Sequence, residues 1–294
     1  MSLSEKLTVI LLSFLVGLLS YVAPQMDIPY SHNKLEVRIV NGDSGEIKDF
    51  PYLVFFYSQL NEKDVSVCAG SLISNNFVLT AAHCFYNNGT KIKIDSVYIS
   101  AGSEFNTKKS PNKYIPDEIT IHEDFDDETN LNDIAIVKLN KNASFANLTF
   151  AKLYKDIPES GDELKIAGWG KVSPEKDSKF SETFNVVKLE YPAQNSCDSS
   201  FKTKLNNKTS FCTFNKDGKG ICQGDSGGPI VYSKLKPPPI IGITSSTITS
   251  ENKTTSCGRD GDGSMFTSII HYFDWIEVVT GLKKQEFTYS SDDI

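Results

Sequence analysis

The sequence predicts an all-β protein of two antiparallel barrels packed side by side, with one helix at the C-terminal end. Three observations carry that expectation. Short apolar or alternating runs are punctuated at close intervals by Gly, Asn and Pro. A polar connection around Asp156 to Asp162 divides those runs into two sets, and one stretch of helical periodicity follows them. Closing each set into a barrel removes the unpaired edges that so many short strands would otherwise expose. With 294 residues, 39% hydrophobic and 11% aromatic, the chain is able to bury the core of one large β domain or two coupled small ones.

Residues 1–23 read as a signal peptide: a lone Lys6 precedes the apolar run Leu7 to Leu19, which is short for a membrane span, and cleavage is expected between Ser20 and Ala23. An uncleaved signal anchor is the alternative. Residues 24–38 are polar, lack periodicity and end in Arg38, as a short activation peptide would. The first set of strands is expected at Tyr52 to Tyr57, Gly70 to Ile73, Phe77 to Thr80, Val97 to Ser100 and Ile134 to Leu139. The second is expected at Leu164 to Trp169, Val186 to Glu190, Pro229 to Tyr232 and Ile240 to Thr244, with Pro237-Pro238-Pro239 as a stiff turn. From Ser268, residues Ile269, Phe273, Ile276 and either Val278 or Val279 recur at helical spacing and stop at Gly281. Residues 283–294, polar and acidic, are expected to fray.

The net charge of -7 lies beyond the leader, because residues 1–38 carry three acids (Glu5, Asp27, Glu36) and three bases (Lys6, Lys34, Arg38). An acidic mature part argues against nucleic acid or other polyanions as partners. Six cysteines, the sequons at Asn88, Asn142, Asn147, Asn207 and Asn252, and the apolar leader point to the secretory pathway and an extracellular destination. Spacing alone leaves the cysteine pairing open. A metal site is a poor reading, because no Cys-x-x-Cys or clustered Cys/His spacing occurs.

The chemistry is concentrated in three motifs, His83 in Thr80-Ala81-Ala82-His83-Cys84, Asp133 heading an apolar strand, and Ser226 in Gly224-Asp225-Ser226-Gly227-Gly228-Pro229. A serine hydroxyl needs a base to take its proton, and an imidazole needs a carboxylate to hold one tautomer. Singly each has a bland explanation: a turn serine, a structural histidine, a strand cap. Jointly, in the order His, Asp, Ser, and with Arg38-Ile39-Val40-Asn41-Gly42 upstream, the motifs resemble the chymotrypsin-like (trypsin-like) serine endopeptidases from about Arg38 to Gly281. His122 and His271 lack such company and read as surface or packing residues, and His32 would leave with the activation peptide.

The resemblance implies six strands in each barrel and a protease domain over residues 39–282. It implies the disulfides Cys68–Cys84, Cys197–Cys212 and Cys222–Cys257, an oxyanion hole from the backbone N–H groups of Gly224 and Ser226, and a hydrogen bond from Ser245 to Asp133. It also implies that cleavage after Arg38 frees an Ile39 amine that pairs with Asp225. At the floor of the specificity pocket stands Gly220, where trypsin-type relatives have an aspartate, so an uncharged side chain, large apolar or small, is expected there. Ser245-Ser246-Thr247 replaces the usual Ser-Trp-Gly wall. Thr247, with Ser264 on the opposite wall, would narrow the mouth. No cofactor or metal is expected, since Glu104 is followed by a Lys/Asn-rich stretch instead of paired acids for calcium. Expected partners are protein or peptide substrates, an activating trypsin-like protease and protein protease inhibitors, with no membrane attachment after signal cleavage and a monomeric state. The competing reading is a non-catalytic homolog that uses the fold as a binding or cofactor module in a proteolytic cascade.

Overall fold

The computed structural model describes residues 42–290, apart from 62–63, 107–108, 174–177, 194–195, 198–208 and 250–256. The expected leader and activation peptide, the Arg38–Ile39 bond and the sequons at Asn207 and Asn252 lie outside the described residues.

The first ten strands are β1 (Asp43–Ser44), β2 (Leu53–Gln59), β3 (Val65–Leu72), β4 (Phe77–Thr80), β5 (Tyr86–Asn87), β6 (Thr90–Lys91), β7 (Val97–Ala101), β8 (Lys113–Tyr114), β9 (Pro116–Ile121) and β10 (Ala135–Leu139). After the polar connection come β11 (Glu163–Gly168), β12 (Asn185–Glu190), β13 (Ser210–Phe214), β14 (Pro229–Tyr232), β15 (Ile240–Ile248) and β16 (Gly263–Ser268). They assemble into two barrel-like sheets with the orders β8-β7-β2-β3-β4-β10-β9 and β1-β12-β11-β14-β15-β16-β13, beside a small β5-β6 ribbon. Counted with the two-residue strands β8 and β1, each sheet has seven strands instead of six. β1 belongs to the second sheet although it precedes every strand of the first, through the pairs Asp43↔Val186 and Ser44↔Asn185.

Strand composition explains the layering. β12 alternates, with Val187 and Leu189 buried and Lys188 and Glu190 exposed, as a sheet with one wet face requires. β15 is buried from Ile240 through Ser245 and carries β-branched residues that fill both of its faces. The core of the second sheet gathers Leu164, Ile166, Val187, Ile230 and Phe266. A larger cluster joins the first sheet to Trp169, Phe184 and the C-terminal helix.

That helix, α1 (Phe273–Thr280), follows a 3-10 turn at Ile269–His271 and ends where Gly281 takes φ 71°, its N–H closing on the Glu277 carbonyl. Ile276 is buried and Val278 is 82% exposed, so Val279 is the inward member of the alternative pair. The tail corrects the expectation of fraying as far as it is described. A short helix α2 (Lys284–Phe287) buries Phe287 completely. Leu153 then exchanges backbone bonds with Phe287 and Tyr289, each 2.8 Å. Two aromatic residues in a polar segment are enough to dock it, which its average composition concealed. Among the described residues, no helix is long and apolar enough to cross a membrane.

Candidate active site

The site is built where the first sheet meets a glycine turn of the second. Three disulfides, Cys68–Cys84, Cys197–Cys212 and Cys222–Cys257, brace its surroundings with the expected pairing. The first ties β3 to the 3-10 turn Ala82–Phe85 that carries His83. Ligand atoms of Cys68, His83 and Cys84 lie within 4.8 Å of one another, but both sulfurs are locked in that bond and are no longer thiolates.

Asp133 stands just before β10 and is fully buried. One oxygen accepts the His83 backbone N–H at 2.9 Å; the other lies 2.7 Å from His83 Nδ1 and accepts the Ser245 hydroxyl at 2.6 Å. Its own carbonyl takes the Thr267 hydroxyl at 3.0 Å. Next to it, the Tyr272 hydroxyl donates to Asn132 at 2.9 Å, and burial pushes that phenol up to about 12. Burial works to raise the Asp133 carboxyl, yet the His83 charge and the donated hydrogen bonds outweigh it and hold the group below its ordinary value. Burial likewise works to lower His83, and the attraction of Asp133 outweighs it and holds the imidazole above its ordinary 6.5.

Ser226 reaches this group through the backbone. The Ala69 N–H donates to the Ser226 carbonyl at 2.7 Å, and the Ala69 carbonyl accepts the Thr80 hydroxyl at 2.7 Å. Gly227, at φ 78°, has no room for a side chain: a Cβ there would lie 2.2 Å from Thr80 Oγ1 and 2.4 Å from the Ala69 oxygen. The serine turn and the histidine strand are thus in direct contact at a residue three before His83. Among the described residues, the N–H groups of Gly224 and Ser226 donate to no backbone carbonyl. An oxyanion hole needs such donors free.

Asp225 is also fully buried, but its carboxylate has other partners. It accepts the backbone N–H of Gly170 at 2.8 Å and of Cys222 at 2.9 Å. Burial pushes it up to about 7 against those two donors.

Two of the residues expected around a specificity pocket, Gly220 and Ser264, meet on the side chain of Asn215. Thr247 and Ser264 are cross-strand partners on β15 and β16, with Thr247 exposed and Ser264 buried. Ser264 donates its hydroxyl to Asn215 Oδ1 at 2.8 Å, and the Asn215 amide lies against Gly220. Asn215 begins Asn-Lys-Asp-Gly, which reads as a turn, so nothing in the sequence marked it. Elsewhere, His122 packs against the rings of Tyr272 and Trp275 at 5.3 and 5.2 Å. Asn88, Asn142 and Asn147 are exposed, as acceptors of a glycan must be.

Comparison with known proteins places this geometry. Residues 39–276 match the Trypsin family. The chain is 32% identical to Trypsin alpha of Drosophila melanogaster, over 81% of this chain and 86% of that protein. It is 24% identical to CLIP domain-containing serine protease B8 of Anopheles gambiae, over 83% of this chain and 66% of that one. Coagulation factor XI of Bos taurus is 25% identical over 83% of this chain, which spans only 38% of its length.

Proposed function

As the chain belongs to the trypsin family of serine proteases, we propose that it is a secreted serine endopeptidase, made as a zymogen and activated by cleavage after Arg38. The observation that carries the reading is the buried Asp133, whose two oxygens collect His83 and Ser245 and so orient an imidazole beside the Ser226 turn. In the proposed reaction the Ser226 oxygen attacks the scissile carbonyl carbon while His83 takes the hydroxyl proton. The C–N bond then breaks, the same proton passes to the leaving amine, and water releases the acyl group by the reverse relay. Gly224 and Ser226 N–H groups supply the oxyanion donors.

Activation acts through Asp225. A carboxyl raised to about 7 by burial is a poor anion until a cation reaches it, and the Ile39 amine released by the cut is the cation the chain supplies. The substrate side chain is uncharged, because Gly220 leaves the pocket floor without an anion and Thr247 adds bulk near the mouth. Protein substrates, an activating protease cutting after Arg38 and protein inhibitors are the partners. The exposed asparagines at 88, 142 and 147 take glycans along the secretory route.

The test is covalent labelling by a fluorophosphonate before and after cleavage at Arg38. The cleaved protein is expected to label at Ser226 and the uncleaved protein and a Ser226→Ala variant not to. Cleaved protein that neither labels nor hydrolyses any peptide would leave the non-catalytic homolog as the function.

A further inference from the structure

We propose that Asn215 closes the base of the specificity pocket and makes it neutral and shallow, so that the side chain accepted on the acyl side of the scissile bond is short and uncharged. The inference rests on the endopeptidase reading and adds to it a specificity-determining residue and a substrate class.

Asn215 follows β13, and the chain turns back through the Lys216↔Lys219 bridge to bring Gly220 against it. A Cβ built on Gly220 would lie 2.4 Å from Asn215 Oδ1, 2.6 Å from Cγ and 2.8 Å from Nδ2. The amide therefore occupies the place into which any side chain at position 220 would grow. It is held there firmly. The Ser264 hydroxyl donates to Oδ1 at 2.8 Å, the Ile221 N–H donates to that hydroxyl at 3.2 Å, and the Asn215 N–H donates to the Asp262 carbonyl at 2.8 Å. Asn215 is 4% exposed and Ser264 is fully buried. The buried Nδ2 has no hydrogen-bond partner among the described residues.

Three consequences follow from that placement. Position 220 must be glycine, because the amide has taken its space. A Lys or Arg side chain would meet a neutral amide in place of an anion, and burying an unpaired cation is strongly unfavourable. The amide also shortens the pocket by roughly its own length, which excludes long and aromatic side chains. The accepted class is Ala, Ser, Val and Thr.

The test uses the full chain cleaved after Arg38, profiled on peptides that vary only at the residue before the scissile bond. Asn215→Asp keeps the length of the plug and adds a charge, so it is expected to raise kcat/KM for a shortened cationic side chain, that of diaminobutyric acid, relative to Ala by about tenfold or more, with Arg and Lys still excluded. Asn215→Ala removes the plug and is expected to shift preference toward Leu, Met and Phe by a similar factor. If neither substituted chain folds, Gly220→Ala tests the contact between the two residues instead. It is expected to lose fluorophosphonate labelling alone and recover it with Asn215→Gly, and no recovery would overturn the assignment. Variants that label at Ser226 like the parent yet keep the parent's profile overturn the role of Asn215 alone. A parent that does not label overturns the endopeptidase reading and the pocket assignment with it.

Discussion

Asp133 and Asp225 are both fully buried, one bonded to His83 and the other next to Ser226 in the chain, yet their surroundings drive them in opposite directions. Asp133 collects the His83 ring, the His83 backbone N–H and the Ser245 hydroxyl, and is held below its ordinary value. Asp225 has two backbone N–H groups as its partners among the described residues, and burial lifts it to about 7. Burial is equal and the company is not: beside two neutral donors each, Asp133 alone has an ionisable partner among the described residues, and that decides which buried carboxyl stays charged. Asp133 is complete within the described fold, whereas Asp225 has room in its chemistry for one positive charge.

The contrast can be broken most severely at its complete member. Asp133→Asn leaves the shape and removes the charge that sets the imidazole, and kcat of the cleaved enzyme is expected to fall by about 10⁴. Burial then acts on His83 without opposition, so the acid edge of the pH–rate profile should move from above 6.5 to below it. Steady-state kinetics across pH checks both, and a fall of less than tenfold would refute the role.

A smaller effect sharpens the other member. The folded, uncleaved chain holds the Asp225 proton more tightly than the unfolded chain, in which the value is 3.8, so its contribution to stability is present at low pH and lost as pH rises through about 7. Above that, the ionised group costs about 4 kcal/mol. Cleavage after Arg38 is expected to relieve most of this cost, so the stability gained on cleavage should grow between pH 4 and pH 7. Denaturant midpoints of the two forms measure it, and a gain independent of pH would contradict the pairing. The smallest change is Ser245→Ala, which withdraws one neutral donor from Asp133. A loss of about 1 to 2 kcal/mol in stability and about tenfold in kcat/KM is expected, readable by the same two assays.

What could be read from the sequence was what is local and chemically distinctive. The motifs around His83, Asp133 and Ser226 announced themselves by residue type and order, and the two sets of strands by their rhythm. The cysteine pairs came from the family resemblance and are those formed. Asn215 stayed hidden because its importance comes from Gly220 and Ser264, which reach it only after β13 and β16 pair. Phe287 and Tyr289 stayed hidden for a related reason: their partner Leu153 lies in a segment far away along the chain. Contacts that depend on register or on remote docking leave no periodic trace.

The two-residue strand β1 has a consequence for kinetics. Asp43 pairs with Val186, Val186 pairs with Ala167, and Gly168 packs its α carbon against the Asp225 carboxylate. Two inter-strand steps amount to about 10 Å, and the four residue steps from Ile39 to Asp43 can span about 14 Å. An amine freed at Ile39 would therefore search for Asp225 on a short leash anchored in the sheet that surrounds its target. Its encounter is intramolecular, with an effective concentration on the order of millimolar or more that dilution does not change. Once the bond after Arg38 is cut, the speed of the response would be set by the leash and not by how much of the protein is present.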